Sequence, residues 1–177
     1  MCNPACIQFG RNHLGEKEIT GLKVLEVGSL DVNGSLRDYV TSFRPASYLG
    51  IDLVPGKGVD YLCPAELIVE AFGTEVFELV ICTEMLEHAK DWRLVIKNLK
   101  LVCSIGGKIL LTTRSKGFPK HEFPNDYWRF EVEDMKYIFS DCKNVIVERD
   151  SSMPGVFVLA SRTPEILDLH IYGVAGV

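Results

Sequence analysis

The chain has 177 residues, of which 47% are hydrophobic and 24% are charged, and its formal net charge is −5. This length suits one domain with a substantial core. The acidic balance argues against general nucleic-acid binding, which needs a basic surface against the phosphates. No apolar run approaches the roughly 20 residues that cross a bilayer, and the N-terminus does not resemble a signal peptide. We therefore expect a cytoplasmic protein with no nucleic-acid or membrane partner.

The six cysteines form no pattern typical of a disulfide framework or of a zinc site. None of them belongs to a CxxC pair, and Cys82 and Cys103 lie within apolar segments. We expect reduced and buried thiols, and no metal ion.

Helical and extended patterns alternate along the chain. Asn3-Pro4 is typical of a helix start, and Asn33 and Pro64 are predicted to begin two further helices. The predicted helices cover residues 4–13, 35–43, 64–71, 92–103 and 131–140. The predicted strands cover residues 22–27, 47–52, 59–62, 77–83, 108–113, 144–149 and 156–161.

The helix predicted over 92–103 is amphipathic, and the segment Ile105-Gly106-Gly107 is predicted to stop it. Its apolar side is predicted to contain Leu94, Val95, Leu99 and Val102. The basic residues here are interpreted as a solvated face: Lys90, Arg93, Lys97 and Lys100.

Several predicted strands are apolar throughout, which indicates a parallel sheet that is covered on both faces. The last two strands have only a short connection and should pair antiparallel. We predict one α/β domain over residues 1–177, with a doubly wound, mostly parallel sheet that ends in an antiparallel hairpin. Residues 1–20 are expected to form a helical cover. The apolar tail, residues 164–177, is expected to dock on the domain or on a partner.

Two residues at predicted strand ends suggest a ligand site. Gly28 follows the first strand in VLEVGSLDVNG, where a missing Cβ lets a ligand approach, although a turn alone explains a glycine equally well. Asp52 ends the second strand, where a carboxylate can accept both hydroxyls of a ribose. Glu26 lies inside an apolar strand and needs a partner, either a ligand ammonium group or a cation such as Lys23.

Four segments in order, VLEVGSLDVNG, YLGID, FELVICTEMLEH and IGGKILLTT, resemble motifs of class I S-adenosylmethionine-dependent methyltransferases of the type 11 kind. The resemblance covers about residues 20–162. It implies a Rossmann-like fold, S-adenosylmethionine as cofactor, and in-line methyl transfer to a small-molecule acceptor. The cofactor-binding residues that it implies are Glu26, Gly28, Ser29, Asp52, Leu53, Glu66, Thr83 and Glu84.

The sequence departs from the family pattern at two places. The first motif contains fewer glycines than usual, with Leu30 and Val32 in their place. Pro64 stands where members often have an adenine-reading aspartate, so that Glu66 or backbone groups are expected to take this role. Leu53 is expected to pack on the adenine.

The segment from residue 118 to 130 resembles the HxxPxDYWRF pattern of methyltransferases linked to sugar or surface-glycan biosynthesis, which suggests a sugar-linked acceptor. His121 is the candidate general base, because imidazole titrates near neutrality. Asp126 is expected to orient it or bind the acceptor, and Arg129 to bind a substrate carboxylate or phosphate. An ion pair of Arg129 with Asp126 or Glu131 is the structural alternative.

Two other functions share these features. A non-catalytic binding or scaffold domain can use the same fold. An NAD-dependent oxidoreductase shares the sheet and the ribose carboxylate, but the tight GxG turn for a pyrophosphate is missing here. A homo-oligomer is compatible with the sequence. The sequence does not identify the methyl acceptor or the atom that is methylated.

Overall fold

A computed structural model describes residues 3–121, 125–170 and 172–177. Its strands are β1 (Lys23–Val27), β2 (Ser47–Asp52), β3 (Tyr61–Leu62), β4 (Phe77–Thr83), β5 (Cys103–Arg114), β6 (Trp128–Arg129), β7 (Lys143–Arg149), β8 (Gly155–Ser161) and β9 (Ala175–Gly176). Its α-helices are α1 (Pro4–His13), α2 (Arg37–Ser42), α3 (Ile68–Phe72), α4 (Trp92–Val102) and α5 (Val132–Ile138). Short 3-10 turns cover Glu16–Glu18, Ala65–Leu67 and Leu86–His88.

Seven strands form one sheet in the order β3-β2-β1-β4-β5-β8-β7. The first five strands pair in parallel, and β8 is antiparallel to both β5 and β7. The predicted α/β sheet with an antiparallel C-terminal hairpin is therefore confirmed. The strand order reverses between β1 and β4, which is where open α/β sheets bind ligands.

Apolar helix faces cover both sides of the sheet. One side buries Trp92, Val95 and Leu99 of α4 against the strands. The other side buries Phe9 of α1, whose ring packs against that of Phe157 at a centroid distance of 5.3 Å. The helix α1 begins as predicted, since Asn3 accepts a hydrogen bond from the Cys6 amide and proline follows it. No helix in the described ranges is both long and apolar enough to span a bilayer.

The start of α2 differs from the prediction. The helix begins at Arg37 with Leu36 as its N-cap residue, so the prediction of Asn33 as the cap is wrong. The preceding segment forms local hydrogen bonds instead: Asp31 accepts from the Gly34 amide at 2.9 Å. Asp side chains that bind nearby backbone amides compete with helix formation in this way.

The interpretation of α4 as having a fully solvated basic face is also wrong. Lys100 is 1% exposed, and its ammonium donates to the Ile138 carbonyl at 2.6 Å and to both Asp141 carboxylate oxygens at 2.7 and 2.8 Å. Leu94, predicted on the buried side, is 38% exposed. The segment predicted to stop the helix, residues 105–107, lies inside β5.

The C-terminal tail docks on the chain itself. Strand β9 pairs antiparallel with β6, and Leu169 is buried in the core. The guanidinium of Arg93 donates to the carbonyls of Leu169 and Tyr172, each 3.0 Å from Nε. The tail therefore braces the segment that leads from β5 to α5.

Candidate active site

A cavity of about 440 Å³ lies at the carboxyl ends of the parallel strands. Loops that follow β1, β2, β3 and β4 form its walls, together with the segment before β6. Five of the residues predicted from the sequence line it: Gly28, Asp52, Leu53, Glu66 and Glu84. The cavity thus lies where the topology of the sheet favours ligand binding.

Gly28 forms the turn at the end of β1. Its φ of +77° is a conformation that side chains disfavour, and an added Cβ would lie 2.7 Å from Cβ and Cγ of Met85. The amides of Gly28 and Ser29 both donate to the Ile51 carbonyl at 3.0 Å. Backbone conformation and packing therefore require glycine here, and the same residue presents bare backbone to the cavity.

The Asp52 carboxylate joins the loop after β1 to the end of β2. Its Oδ2 accepts from the Leu30 amide at 3.1 Å, and its Oδ1 accepts from the amides of Leu53 and Val54 at 2.7 and 3.3 Å. A carboxylate has about four acceptor positions, so these bonds leave capacity for a ligand. The side chain of Leu53, 61% exposed, stands beside it as an apolar surface for a flat ring.

Glu84 follows β4 with a φ of +53°, which is uncommon for a residue other than glycine. Its carboxylate forms an ion pair with Arg114 and accepts from the Cys6 thiol at 3.3 Å. Burial and the neighbouring Glu87 raise the pKa of Glu84, and Arg114 opposes them. Backbone strain of this kind is concentrated at functional sites, and the residue lines the cavity.

A second cluster adjoins the cavity and contains the predicted catalytic residues. His88 lines the cavity wall, and the His121 ring packs edge-on against it at a centroid distance of 4.8 Å. The His121 amide donates to Asp126 at 2.9 Å. Burial lowers the pKa of His121, against the charges of Asp126 and Glu87.

Arg129 is 5% exposed and does not line the cavity. Its guanidinium binds both oxygens of Asp126 at 2.5 and 2.6 Å and donates to the Pro119 carbonyl at 3.2 Å. The ion pair with Asp126, given above as the structural alternative, is present. Binding of a substrate anion by Arg129 stays a prediction. Burial opposes ionisation of Asp126, but hydrogen bonds from Arg129 and from the His121 amide outweigh it and lower the pKa to about 2.

Known proteins resemble this chain in sequence and in structure. No family model matches the sequence. The ubiquinone biosynthesis O-methyltransferase of Idiomarina loihiensis is 30% identical over 127 residues, which are 64% of this chain and 50% of that protein. The human mitochondrial ubiquinone biosynthesis O-methyltransferase is 30% identical over 122 residues, which are 59% of this chain and 32% of that protein. The chain thus spans between a third and a half of the length of these curated relatives.

Solved structures share the fold. A 1,6-didemethyltoxoflavin-N1-methyltransferase from Burkholderia thailandensis, with S-adenosylhomocysteine bound, superposes with a TM-score of 0.70 at 14% identity, over 90% of this chain and 77% of that one. An S-adenosylmethionine-dependent methyltransferase from Mesorhizobium loti superposes with a TM-score of 0.67 at 13% identity, over 90% and 99% of the two chains. The chain therefore has the fold of S-adenosylmethionine-dependent methyltransferases.

Three residues that the family resemblance implied as cofactor contacts do not line the cavity. Glu26 is 2% exposed, and Ser29 and Thr83 are 2% and 3% exposed. Glu26 accepts hydrogen bonds from Tyr48 at 2.8 Å and from Ser35 at 3.1 Å, rather than pairing with a lysine. Each of the three is next in sequence to a residue that does line the cavity: Val27, Gly28 and Glu84.

Several residues that line the cavity were not among those predicted from the sequence. Met85, Asn125 and Tyr127 all contribute to it. The sequence contained a signal for Met85, because this residue lies within the segment FELVICTEMLEH that resembles a family motif, next to Glu84. Nothing in the sequence indicated that the Tyr127 amide would bind the Glu87 carbonyl, at 2.9 Å, and thereby close the cavity on this side.

Proposed function

We propose that this chain is an S-adenosylmethionine-dependent methyltransferase that methylates a hydroxyl group of a small aromatic molecule. One observation carries the proposal: Gly28 and Asp52 line the same cavity as His88, which belongs to the histidine–carboxylate cluster. The two residues proposed to bind the nucleoside and a histidine able to accept a proton therefore line one cavity. The curated relatives are named O-methyltransferases, which supports oxygen as the attacked atom.

The cofactor half of the site is proposed from the loops after β1, β2 and β3. Asp52 would accept the ribose hydroxyls, Leu53 would pack on the adenine, and Glu66 would accept from the adenine amino group. Gly28 would let the methionine portion approach the backbone. Glu84, which also lines the cavity, would attract the ligand's ammonium group.

The acceptor half is proposed from the loops after β4 and β5. Met85 and Tyr127 line the cavity here and suit an aromatic ring, whereas a sugar needs many polar partners. For this reason we favour an aromatic acceptor over the sugar-linked one that the segment 118–130 suggests.

Methyl transfer from a sulfonium is an in-line displacement, in which holding the two reactants in position contributes about 7–11 kcal/mol. Removal of the hydroxyl proton by a base typically adds a factor of about 10²–10⁴. His88, on the cavity wall, and His121, in contact with it, are the candidates for this proton transfer. Asp126, fixed by Arg129, would orient His121.

Turnover of S-adenosylmethionine against a panel of acceptors tests the proposal. Mass spectrometry should detect a methylated product and S-adenosylhomocysteine with hydroxylated aromatic compounds. The variant Asp52→Ala should lose most of this activity at limiting cofactor. Asp31→Ala is the matched control, since Asp31 also binds a backbone amide of the first loop but does not line the cavity.

Methylation of sugars instead would overturn the aromatic assignment. Tight binding of the cofactor without turnover of any acceptor would favour the scaffold alternative over an enzyme.

A further inference from the structure

A buried asparagine lies on the apolar side of α4. Asn98 is 5% exposed, and it stands in the sequence between Val95 and Leu99, two core residues of the same helix. A buried amide side chain is costly unless it forms hydrogen bonds, so a position of this kind usually holds an apolar residue. The hydrogen-bond partners of Asn98 therefore indicate what this polar side chain does.

Asn98 binds the turn that follows β3. Its amide nitrogen donates to the Glu66 carbonyl at 2.6 Å and to the Ala65 carbonyl at 3.3 Å. Ala65 and Glu66 line the cavity, at the end that is proposed to bind adenine. Asn98 does not line the cavity itself. Its side chain therefore acts on the cavity through this turn.

The same turn is attached to the sheet at its other end. The Cys63 amide donates to the Asp52 carbonyl at 3.0 Å. Residues 64–66 thus lie between an attachment to β2 and an attachment to α4. Together the two attachments restrict the distance between Asp52, which is proposed to bind the ribose, and Glu66, which is proposed to bind the base.

The Glu66 carboxylate is available to a ligand. Its side chain is partly exposed and lines the cavity. In the part of the chain that the structure describes, no hydrogen bond or ion pair holds this carboxylate. An ionised carboxylate can only accept hydrogen bonds, which suits the amino group of adenine. It disfavours hypoxanthine, which has a carbonyl oxygen at the same position.

We propose that Asn98 is a positioning residue that holds Glu66 at the base and thereby selects a methyl donor with adenine over one with hypoxanthine. The inference rests on the proposed function, in which Glu66 accepts from the adenine amino group. Without the two hydrogen bonds from Asn98, the turn is free to shift, and the carboxylate loses its fixed position. A site that pairs with a polar group of its ligand rejects an analogue without that group, because the polar atoms of the site are left unpaired.

Calorimetric titration with S-adenosylhomocysteine and with S-inosylhomocysteine, which has hypoxanthine in place of adenine, tests the inference. The wild type should bind S-adenosylhomocysteine at least about tenfold more tightly than S-inosylhomocysteine. In Asn98→Leu, which has a similar volume and no donor, this preference should fall to about threefold or less. Lys97→Ala is the matched control and should keep the wild-type preference, since Lys97 is the adjacent residue of α4 and is exposed.

Glu66→Gln is a second variant, which leaves α4 unchanged. The glutamine amide can donate to the hypoxanthine oxygen as well as accept from the adenine amino group. The preference for S-adenosylhomocysteine should therefore fall to about threefold or less in this variant too.

Three results would overturn the role of Asn98: equal binding of the two ligands by the wild type, or an unchanged preference in either Asn98→Leu or Glu66→Gln. A merely structural role of Asn98 would weaken the binding of both ligands by the same factor and leave the preference unchanged. The wild-type comparison and Glu66→Gln do not depend on how well Asn98→Leu folds. Absence of S-adenosylhomocysteine binding by the wild type would contradict the proposed function itself, so the two failures are distinguishable.

Discussion

Glu26 should make the folded protein less stable as the pH rises. Its carboxyl lies inside β1 and is 2% exposed. Burial raises its pKa from 4.5 to about 7, against the hydrogen bonds from Tyr48 and Ser35, which lower it. The unfolded chain releases this proton from about pH 4.5 upward, whereas the folded chain keeps it until about pH 7. The contribution to stability is therefore full below pH 4.5 and is lost as the pH rises through 7.

The size of the effect follows from the two titration positions. At about 1.4 kcal/mol per pH unit, a carboxyl that titrates near 7 when folded and near 4.5 when unfolded changes the free energy of unfolding by about 3 kcal/mol. The variant Glu26→Gln removes the charge and keeps an amide that can bond to both hydroxyls. Its stability should lack this pH dependence.

Urea unfolding at pH 5 and pH 8 measures the difference. From pH 5 to pH 8, the free energy of unfolding of the wild type should fall by about 2–3 kcal/mol more than that of Glu26→Gln. Glu133→Gln is the control, because Glu133 is exposed and its ion pair with Lys136 lies on the surface. Equal pH dependence in the wild type and Glu26→Gln would refute the reasoning, since Glu26 would then be ionised in the folded chain at no cost.

Two further substitutions test the packing of the site. Gly28→Ala should lower the free energy of unfolding by about 1–3 kcal/mol in urea titrations, because its φ is positive and its Cβ would clash with Met85; an unchanged midpoint would contradict the geometry of the turn. Arg129→Met should lower the free energy of unfolding by about 3–5 kcal/mol in the same assay, because it leaves the buried Asp126 carboxylate without its cation. A loss below about 1 kcal/mol would show that Asp126 finds water or another partner.

The sheet could be predicted because its strands are continuous apolar runs, and the short link between β7 and β8 allows only an antiparallel pair. The start of α2 could not, because the turn at Asp31 and Gly34 competes with capping by Asn33. The burial of Lys100 could not be predicted, because its ion-pair partner, Asp141, follows α5 and is distant in sequence. A periodicity pattern contains no information on such a partner.

The candidate site also contains some residues whose positions could be predicted from the sequence and others whose positions could not. Gly28 and Asp52 could be placed from the sequence because the ends of parallel strands meet at one edge of the sheet. The orientation of Glu26 could not, because a strand that is buried on both faces has no polar alternation to show which side faces a ligand. The meeting of Glu87 with His121 depends on how two loops fold over the sheet, and neither loop has a pattern that specifies it.

Calorimetric titration with S-adenosylhomocysteine tests the central claim most directly. We expect a dissociation constant in the micromolar range or tighter, and no binding of NAD. Asp52→Ala should lower the affinity by about tenfold or more, since hydrogen bonds to a charged group contribute about 1.5–3 kcal/mol. The control Asp31→Ala should bind like the wild type. Absence of heat with S-adenosylhomocysteine, or equal affinity in Asp52→Ala, would contradict the assignment of this cavity as a methyl-donor site.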